Sequence, residues 1–216
     1  MRRFPGHFGS AFLHDQNTDG PSRTMETLRL SSPDTSNGRR GLTLFCTGLP
    51  AAGKSTLAAG LAELINRSGH GPVTLLDGDV VRRHLSSELG FSRQHRDLNI
   101  LRIAFVAAEI ARHGGITICA AIAPYRGTRR RAREIAGAYG RFAEIYLATP
   151  LSTCETRDPK GMYARARAGL IESFTGVNDP YEAPEHPEIT IDTSTCSPDV
   201  CLRTVYGRLQ LDRLIY

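Results

Sequence analysis

The chain has almost no lysine: of its 27 basic residues, 25 are arginine, and only Lys54 and Lys160 break the rule. A compact ammonium and a planar guanidinium fork are not interchangeable, so both exceptions are candidate sites for a point charge. No apolar run approaches the roughly 18 residues of a membrane-spanning helix, which excludes one from the reading. The opening stretch MRRFPGHFGSAFLHDQ has arginines but no apolar segment behind them. No secretory leader is expected, and the cytoplasm is the expected compartment. None of the five cysteines (Cys46, Cys119, Cys154, Cys196, Cys201) forms a C-x-x-C pair. Cys46 and Cys119 sit in apolar runs and read as small buried thiols rather than metal or redox groups. No internal repeat is visible. The base-reading N/T-K-x-D segment of GTPases is missing too, because both lysines stand elsewhere.

What is present suits one globular α/β domain. The chain has 216 residues, 40% of them hydrophobic and 23% charged, with a formal net charge of +5. The charge fits an acidic ligand, although a nucleotide, a nucleic acid and a membrane surface all qualify on that ground alone. Residues 1–40 are rich in Gly, Ser, Asp, Asn, Pro and Arg without sustained periodicity, and read as a disordered or loosely attached arm. Residues 41–216 read as the folded domain. Strands are expected at Leu42–Thr47, Val73–Leu76, Ile116–Ile122, Phe142–Ala148 and Ile189–Ile191. Helices are expected at Lys54–Arg67, around Val81–Leu85, at Gln94–Arg112, at Arg126–Ala138 and at Pro198–Leu211. The alternation implies βαβ units and a parallel sheet covered on both faces, with ligands beyond the carboxyl ends of the strands.

The segment after the first strand is Gly48-Leu49-Pro50-Ala51-Ala52-Gly53-Lys54-Ser55-Thr56, a Walker A match in its proper strand–helix context. Its glycines let backbone N–H groups curl around phosphates, and the helix N-terminus adds a positive dipole. Lys54 would reach the β- and γ-phosphates of ATP, and Ser55 would ligate Mg²⁺. The motif alone does not separate kinases from GTPases and motor ATPases. The acidic pair Asp77 and Asp79 does more, because it closes the second strand soon after the loop rather than far downstream. Two carboxylates on one short loop serve metal positioning and acceptor orientation in phosphoryl transfer. The Gly-bounded, basic segment from Arg157 through Lys160 to Gly169 reads as a mobile lid that keeps water from the γ-phosphate, with the lid extending to about residue 185.

Together the motifs resemble the adenylyl-sulfate kinase family, which makes 3′-phosphoadenylyl sulfate from adenylyl sulfate and ATP. The resemblance runs from about Leu44 to Thr193 through five blocks in order: GLPAAGKST, LDGDVVR, GFSRQHRDLNILRI, IAPYR and DPKGMYARARAGLIESFTGVNDPYEAPEHPEI. It implies a three-layer P-loop kinase fold, with a five-stranded, mainly parallel sheet and a lid. It also implies that Arg82, Phe91, Arg96, Asn99, Ile122, Lys160 and Phe174 line the adenylyl-sulfate site and that Arg157 lies against the ATP adenine. The chemistry agrees. Guanidinium forks suit a phosphosulfate, and aromatic faces suit an adenine.

Asp77 is expected to accept the proton of the ribose 3′-hydroxyl and Asp79 to hold Mg²⁺ or its water, although the two roles are exchangeable. Lys54 and Lys160 would spread their charge over the transferring group. The pattern is departed from at four positions: Val80 where the family often has Asn, Pro50 and Ala51 in the loop, and Ala123 where many members have Ser. That serine has been proposed to carry phosphate covalently. Alanine cannot, so direct transfer is expected. Expected partners are adenylyl sulfate, a second copy in a homodimer, and ATP sulfurylase, with no nucleic acid or membrane. A kinase for a sugar acid, shikimate or a nucleoside, and a non-catalytic regulatory module, are the competing readings.

Overall fold

The computed structural model describes residues 40–216. The arm expected over residues 1–40 lies outside this range except for its last residue. Five strands form one sheet in the order β2-β3-β1-β4-β5. They are β1 (Gly41–Gly48), β2 (Val73–Asp77), β3 (Ile116–Ala120), β4 (Gly140–Leu147) and β5 (Ile189–Ile191). Every pairing is parallel, so the expected mainly parallel sheet is wholly so. The connecting helices are α1 (Lys54–Arg67), α2 (Gly78–His84), α3 (Arg93–Arg112), α4 (Arg126–Gly137), α5 (Leu151–Arg157), α6 (Met162–Arg167) and α7 (Pro198–Leu211).

The central strand explains the three layers. All eight residues of β1 are buried, as a strand covered on both faces requires. Its side chains alternate between two cores, following the two-residue period of a strand. Leu42, Leu44 and Cys46 join Leu57, Leu61 and Ile65 of α1 and Val205 and Leu209 of α7. Phe45 joins Ile100, Ile103 and Ala107 of α3 and Ala132 and Ala136 of α4 on the other face. Gly41 is needed where α3 ends, because a Cβ there would stand 2.2 Å from the Ala111 carbonyl oxygen.

The chain crosses from one side of β1 to the other between β3 and β4, so the carboxyl ends of β1, β3 and β4 frame a crevice. Several boundaries differ from expectation in ways that shape it. Strand β3 stops at Ala120 rather than Ile122, because the chain peels away into a turn with Ala123 at φ 46°. Apolar composition continues past the point where pairing ends. Strand β2 reaches Asp77, whose carboxylate caps α2 by accepting the Asp79 N–H at 2.9 Å. The two aspartates therefore lie at a strand end and in a first helical turn, not on one loop. The segment read as a lid from Arg157 holds α6, and α5 ends where it begins, both too short to show a helical period.

Among the cysteines, Cys46, Cys119 and Cys154 are buried free thiols. Burial pushes the Cys46 thiol up to about 12, so it stays protonated and inert. Cys196 and Cys201 form a disulfide at the start of α7, which their spacing did not reveal.

Candidate active site

The Walker A segment folds as its glycines demand. Gly53 has φ 94° and Gly48 φ 152°, and a Cβ on Gly48 would stand 2.7 Å from the Leu147 carbonyl oxygen. Ala51 also takes a positive φ of 60°, so the loop keeps its curl despite Pro50 and Ala51. Ala52 is fully buried behind the loop, and its carbonyl accepts from Thr193 at 3.0 Å. Lys54 opens α1 and folds back to donate to the carbonyls of Gly48 (3.0 Å) and Leu49 (2.6 Å). Burial lowers its ammonium to about 8, with nearby Cys154, Cys46, Asp77 and Asp79 opposing the shift. A bound polyphosphate would supply the missing countercharge.

Two carboxylates stand beside this loop with different partners. Ser55 donates to Asp77 at 2.6 Å, joining the last residue of β2 to the first turn of α1. Asp79 pairs with Lys160, which arrives from the turn between α5 and α6. Both lysines and both aspartates singled out by the sequence thus meet at one end of the sheet. Ser55 and Asp77 form a hard-oxygen donor pair, which suits Mg²⁺ held by one or two protein oxygens and by phosphates. Among the described residues, no group of three or more His, Cys, Asp or Glu gathers as a self-sufficient metal cage.

Among the residues expected on the acceptor side, Phe91 is 63% exposed and the Arg82 guanidinium lies over its ring, 4.6 Å from the centroid. Arg82 is anchored by the Gly90 carbonyl at 3.0 Å. Burial, followed by the like charge of Arg96, lowers the Arg82 guanidinium from its ordinary value. Asn99 lies one helical turn beyond Arg96 on α3, is buried, and leaves its Oδ1 without a partner. Such an atom calls for a ligand or water. The Ile122 carbonyl accepts from Thr47 at 2.6 Å, fixing the turn that follows β3.

Phe174 and Arg96 are placed differently from Phe91 and Arg82. Phe174 is 8% exposed and packs edge-on against Tyr163, with ring centroids 5.0 Å apart, so it belongs to the core. Arg96 spends its fork inside the protein, with Nη1 on Asp179 at 2.9 Å and Nε on the Phe91 carbonyl at 2.8 Å.

The segment after α5 closes against the phosphate loop. Tyr163 donates to the Pro50 carbonyl at 3.1 Å, and Gly176 faces Leu49 so closely that a Cβ would stand 3.0 Å from its Cδ2. Arg157 donates to the Thr193 carbonyl at 2.7 Å and Oγ1 at 2.8 Å, on the outer side of the loop. Sequence reasoning missed Tyr163, Thr193, Tyr125 and Asp179. Thr193 follows β5, and the rule about strand carboxyl ends, applied to the fifth strand as to the first four, would have found it. The other three stand inside the resembled blocks IAPYR and DPKGMYARARAGLIESFTGVNDPYEAPEHPEI, but no rule of spacing or residue type singles them out.

Comparison with known proteins agrees with this geometry. The family model described as adenylylsulphate kinase matches residues 40–192. The adenylyl-sulfate kinase of Synechococcus sp. (strain JA-3-3Ab) is 50% identical over 173 residues, 80% of this chain and 96% of that protein. The solved structure of the Mycobacterium tuberculosis APS kinase in complex with AMPPNP and APS is 38% identical with a TM-score of 0.75. The match covers 80% of this chain and 99% of that one. A sulfate adenylyltransferase of Phaeosphaeria nodorum is 49% identical over 170 residues, 79% of this chain but only 29% of that protein.

Proposed function

The chain belongs to the adenylyl-sulfate kinase family of ATP-dependent P-loop kinases, and we propose that it moves the γ-phosphoryl group of ATP to the 3′-hydroxyl of adenylyl sulfate. The products are 3′-phosphoadenylyl sulfate and ADP, as sulfate activation requires. The observation that carries the site assignment is the convergence of Ser55 on Asp77 and of Lys160 on Asp79 beside the Lys54 loop. Small-molecule phosphoryl transfer needs this set of cations and carboxylates, and catalysis here is positioning and electrostatics.

Residues Gly48–Thr56 cradle the ATP phosphates, with Arg157 against the adenine. Lys54 and Lys160 balance charge on the transferring group from opposite sides. Ser55 and a carboxylate would hold Mg²⁺, which when bound offsets phosphate charge. The Ser55–Asp77 hydrogen bond favours Asp77 as that carboxylate, the reverse of the sequence expectation. Asp79, freed from Lys160 when phosphates arrive, is then the acceptor of the 3′-hydroxyl proton. Arg82, Phe91, Asn99, Ile122 and Phe174 line the adenylyl-sulfate side.

Transfer is direct. Ala123 has no hydroxyl, is 2% exposed, and its carbonyl is occupied by Arg129 at 2.7 Å. The chain acts in the cytoplasm as a homodimer, with exposed Leu98 and Phe105 two turns apart on α3 offering an apolar face. It works alongside ATP sulfurylase. That pairing is supported by the Phaeosphaeria nodorum sulfate adenylyltransferase, a much longer protein that contains the matching stretch. No helix among the described residues is long and apolar enough to cross a membrane.

A coupled assay of ADP release with adenylyl sulfate as acceptor tests the activity. Adenylyl-sulfate-dependent turnover is expected, with intersecting sequential kinetics and no acid-stable label on the chain after incubation with γ-labelled ATP alone. No acceptor-dependent ADP would overturn the activity. A labelled chain that passes its phosphate to adenylyl sulfate would overturn direct transfer.

A further inference from the structure

We propose that Asp179 and Tyr125 are positioning residues for the acceptor site: they hold Arg96 as a tie that fixes the two aromatic walls relative to each other. This rests on the reading of Phe91 and Phe174 as acceptor walls given above.

The geometry begins with Arg96, in the first turn of α3. Its Nε donates to the Phe91 carbonyl at 2.8 Å. Its Nη1 donates to Thr175 Oγ1 and to Asp179 Oδ2, and its Nη2 to the Ser173 carbonyl. Ser173 and Thr175 flank Phe174, so one planar guanidinium grips the backbone of the Phe91 wall and both neighbours of the Phe174 wall. A rigid fork with five fixed donors can set such a separation, whereas a flexible ammonium cannot.

The loop it grips is closed on itself. The Phe174 carbonyl accepts from Val177, Asn178 and Asp179, and its N–H donates to Asn178 Oδ1. Ser173 is held at φ 53°, a conformation a serine rarely adopts without external restraint. Arg96 on its carbonyl supplies such a restraint.

Asp179 is the counterweight. The Arg96 and Asp179 side chains are 11% and 17% exposed, and the carboxylate also accepts from the Tyr125 hydroxyl at 3.0 Å. Tyr125 follows the turn that presents Ile122, so three walls of the acceptor site meet at one carboxylate. Arg93 covers the Tyr125 ring, its guanidinium 4.3 Å from the centroid, which orients the phenol. Without Asp179, Arg96 would keep its carbonyl partners but lose its charge partner in a nearly dry site, and such a cation turns toward water. The walls would part while the phosphate loop, held by other contacts, stayed as it is.

The test measures steady-state kinetics of the full chain for both substrates. Asp179→Ala is expected to raise KM for adenylyl sulfate at least tenfold, with KM for ATP within about twofold and kcat within about threefold. Tyr125→Phe, which keeps the ring under Arg93, is expected to raise KM for adenylyl sulfate about threefold. The double variant should be no worse than Asp179→Ala, because both act through one carboxylate. Should Asp179→Ala fail to fold, Tyr125→Phe decides alone: an unchanged KM for adenylyl sulfate, or equal rises for both substrates, overturns the proposal. Additive losses in the double variant overturn it too. Wild-type turnover of adenylyl sulfate separates the two claims, since its absence refutes the function, whereas its presence with an unaltered variant KM refutes only the tie.

Discussion

Lys54 illustrates how one residue can be legible in the sequence yet acquire its chemistry only from the fold. The motif assigns it to phosphate. The structure buries it to 9% exposure against the Gly48 and Leu49 carbonyls, and burial lowers its ammonium to about 8. The folded value lies below the ordinary 10.5, so the free enzyme sheds this proton more readily than an unfolded chain does. Its contribution to stability is therefore unfavourable at low pH and is relieved as pH rises from about 8 to 10.5. For catalysis the sign is opposite, because the charged form is the useful one. We expect kcat/KM for ATP to fall on an alkaline limb near pH 8, while kcat, which reports the phosphate-bound state, stays flat to higher pH. Lys54→Arg should lack that limb, whatever its residual rate. Lys54→Ala should lose more than about 10³-fold in kcat with an unchanged fold, the scale of removing a key transition-state charge. A wild-type kcat/KM that is level through pH 9.5 would show that Lys54 stays charged in the free enzyme.

At the scale of elements, the segment from α5 to β5, which holds Lys160 and Phe174, was the part whose secondary structure was least readable in the sequence. Helices α1 and α7 were legible because an apolar stripe, a glycine or a Ser-Pro start marks each of them. Helices α5 and α6 have seven and six residues, less than two turns, and their periodicity drowns in polar sequence. Strand β3 read two residues too long, since Ala121 and Ile122 are as apolar as the strand but turn away from it. The resemblance placed Phe174 in the lining of the adenylyl-sulfate site, and the structure makes it a member of the main core, packed on Tyr163. Its two roles separate by substitution. Phe174→Leu fills most of the same volume and so should cost under about 1.5 kcal/mol of stability. It removes the aromatic face, worth about 1–3 kcal/mol per stacked base, so KM for adenylyl sulfate should rise about tenfold with KM for ATP nearly constant. A fall in melting temperature without that rise would make Phe174 a core residue only.

For the whole molecule, every part of the proposed reaction lies in one sheet and its two helical layers. The two cores meet at β1, whose outward faces anchor α1 and α7 on one side and α3 and α4 on the other. The site residues sit at the carboxyl ends of these strands or on the segments that close over them. That architecture was readable because a strand-like run at Leu42–Thr47 leading into a Walker A turn, followed by alternating helices and strands, admits few arrangements. The side-chain ties across the crevice were not, because Arg96 and Asp179 lie 83 residues apart and no local pattern links them. The family match begins at residue 40, and β1 begins at Gly41. Among the described residues, Leu42 and Leu44 of the first strand are buried with Leu57, Leu61 and Ile65 of α1 and Val205 and Leu209 of α7. A chain starting at Arg40 is therefore expected to keep kcat and both KM values within about twofold and its melting temperature within a few degrees. The comparison uses the full chain under the same conditions, with adenylyl sulfate and ATP each varied at saturation of the other. Loss of folding would show that residues 1–39 complete one of the two cores. A rise in KM for one substrate alone, with melting unchanged, would show that they reach that substrate's side of the crevice.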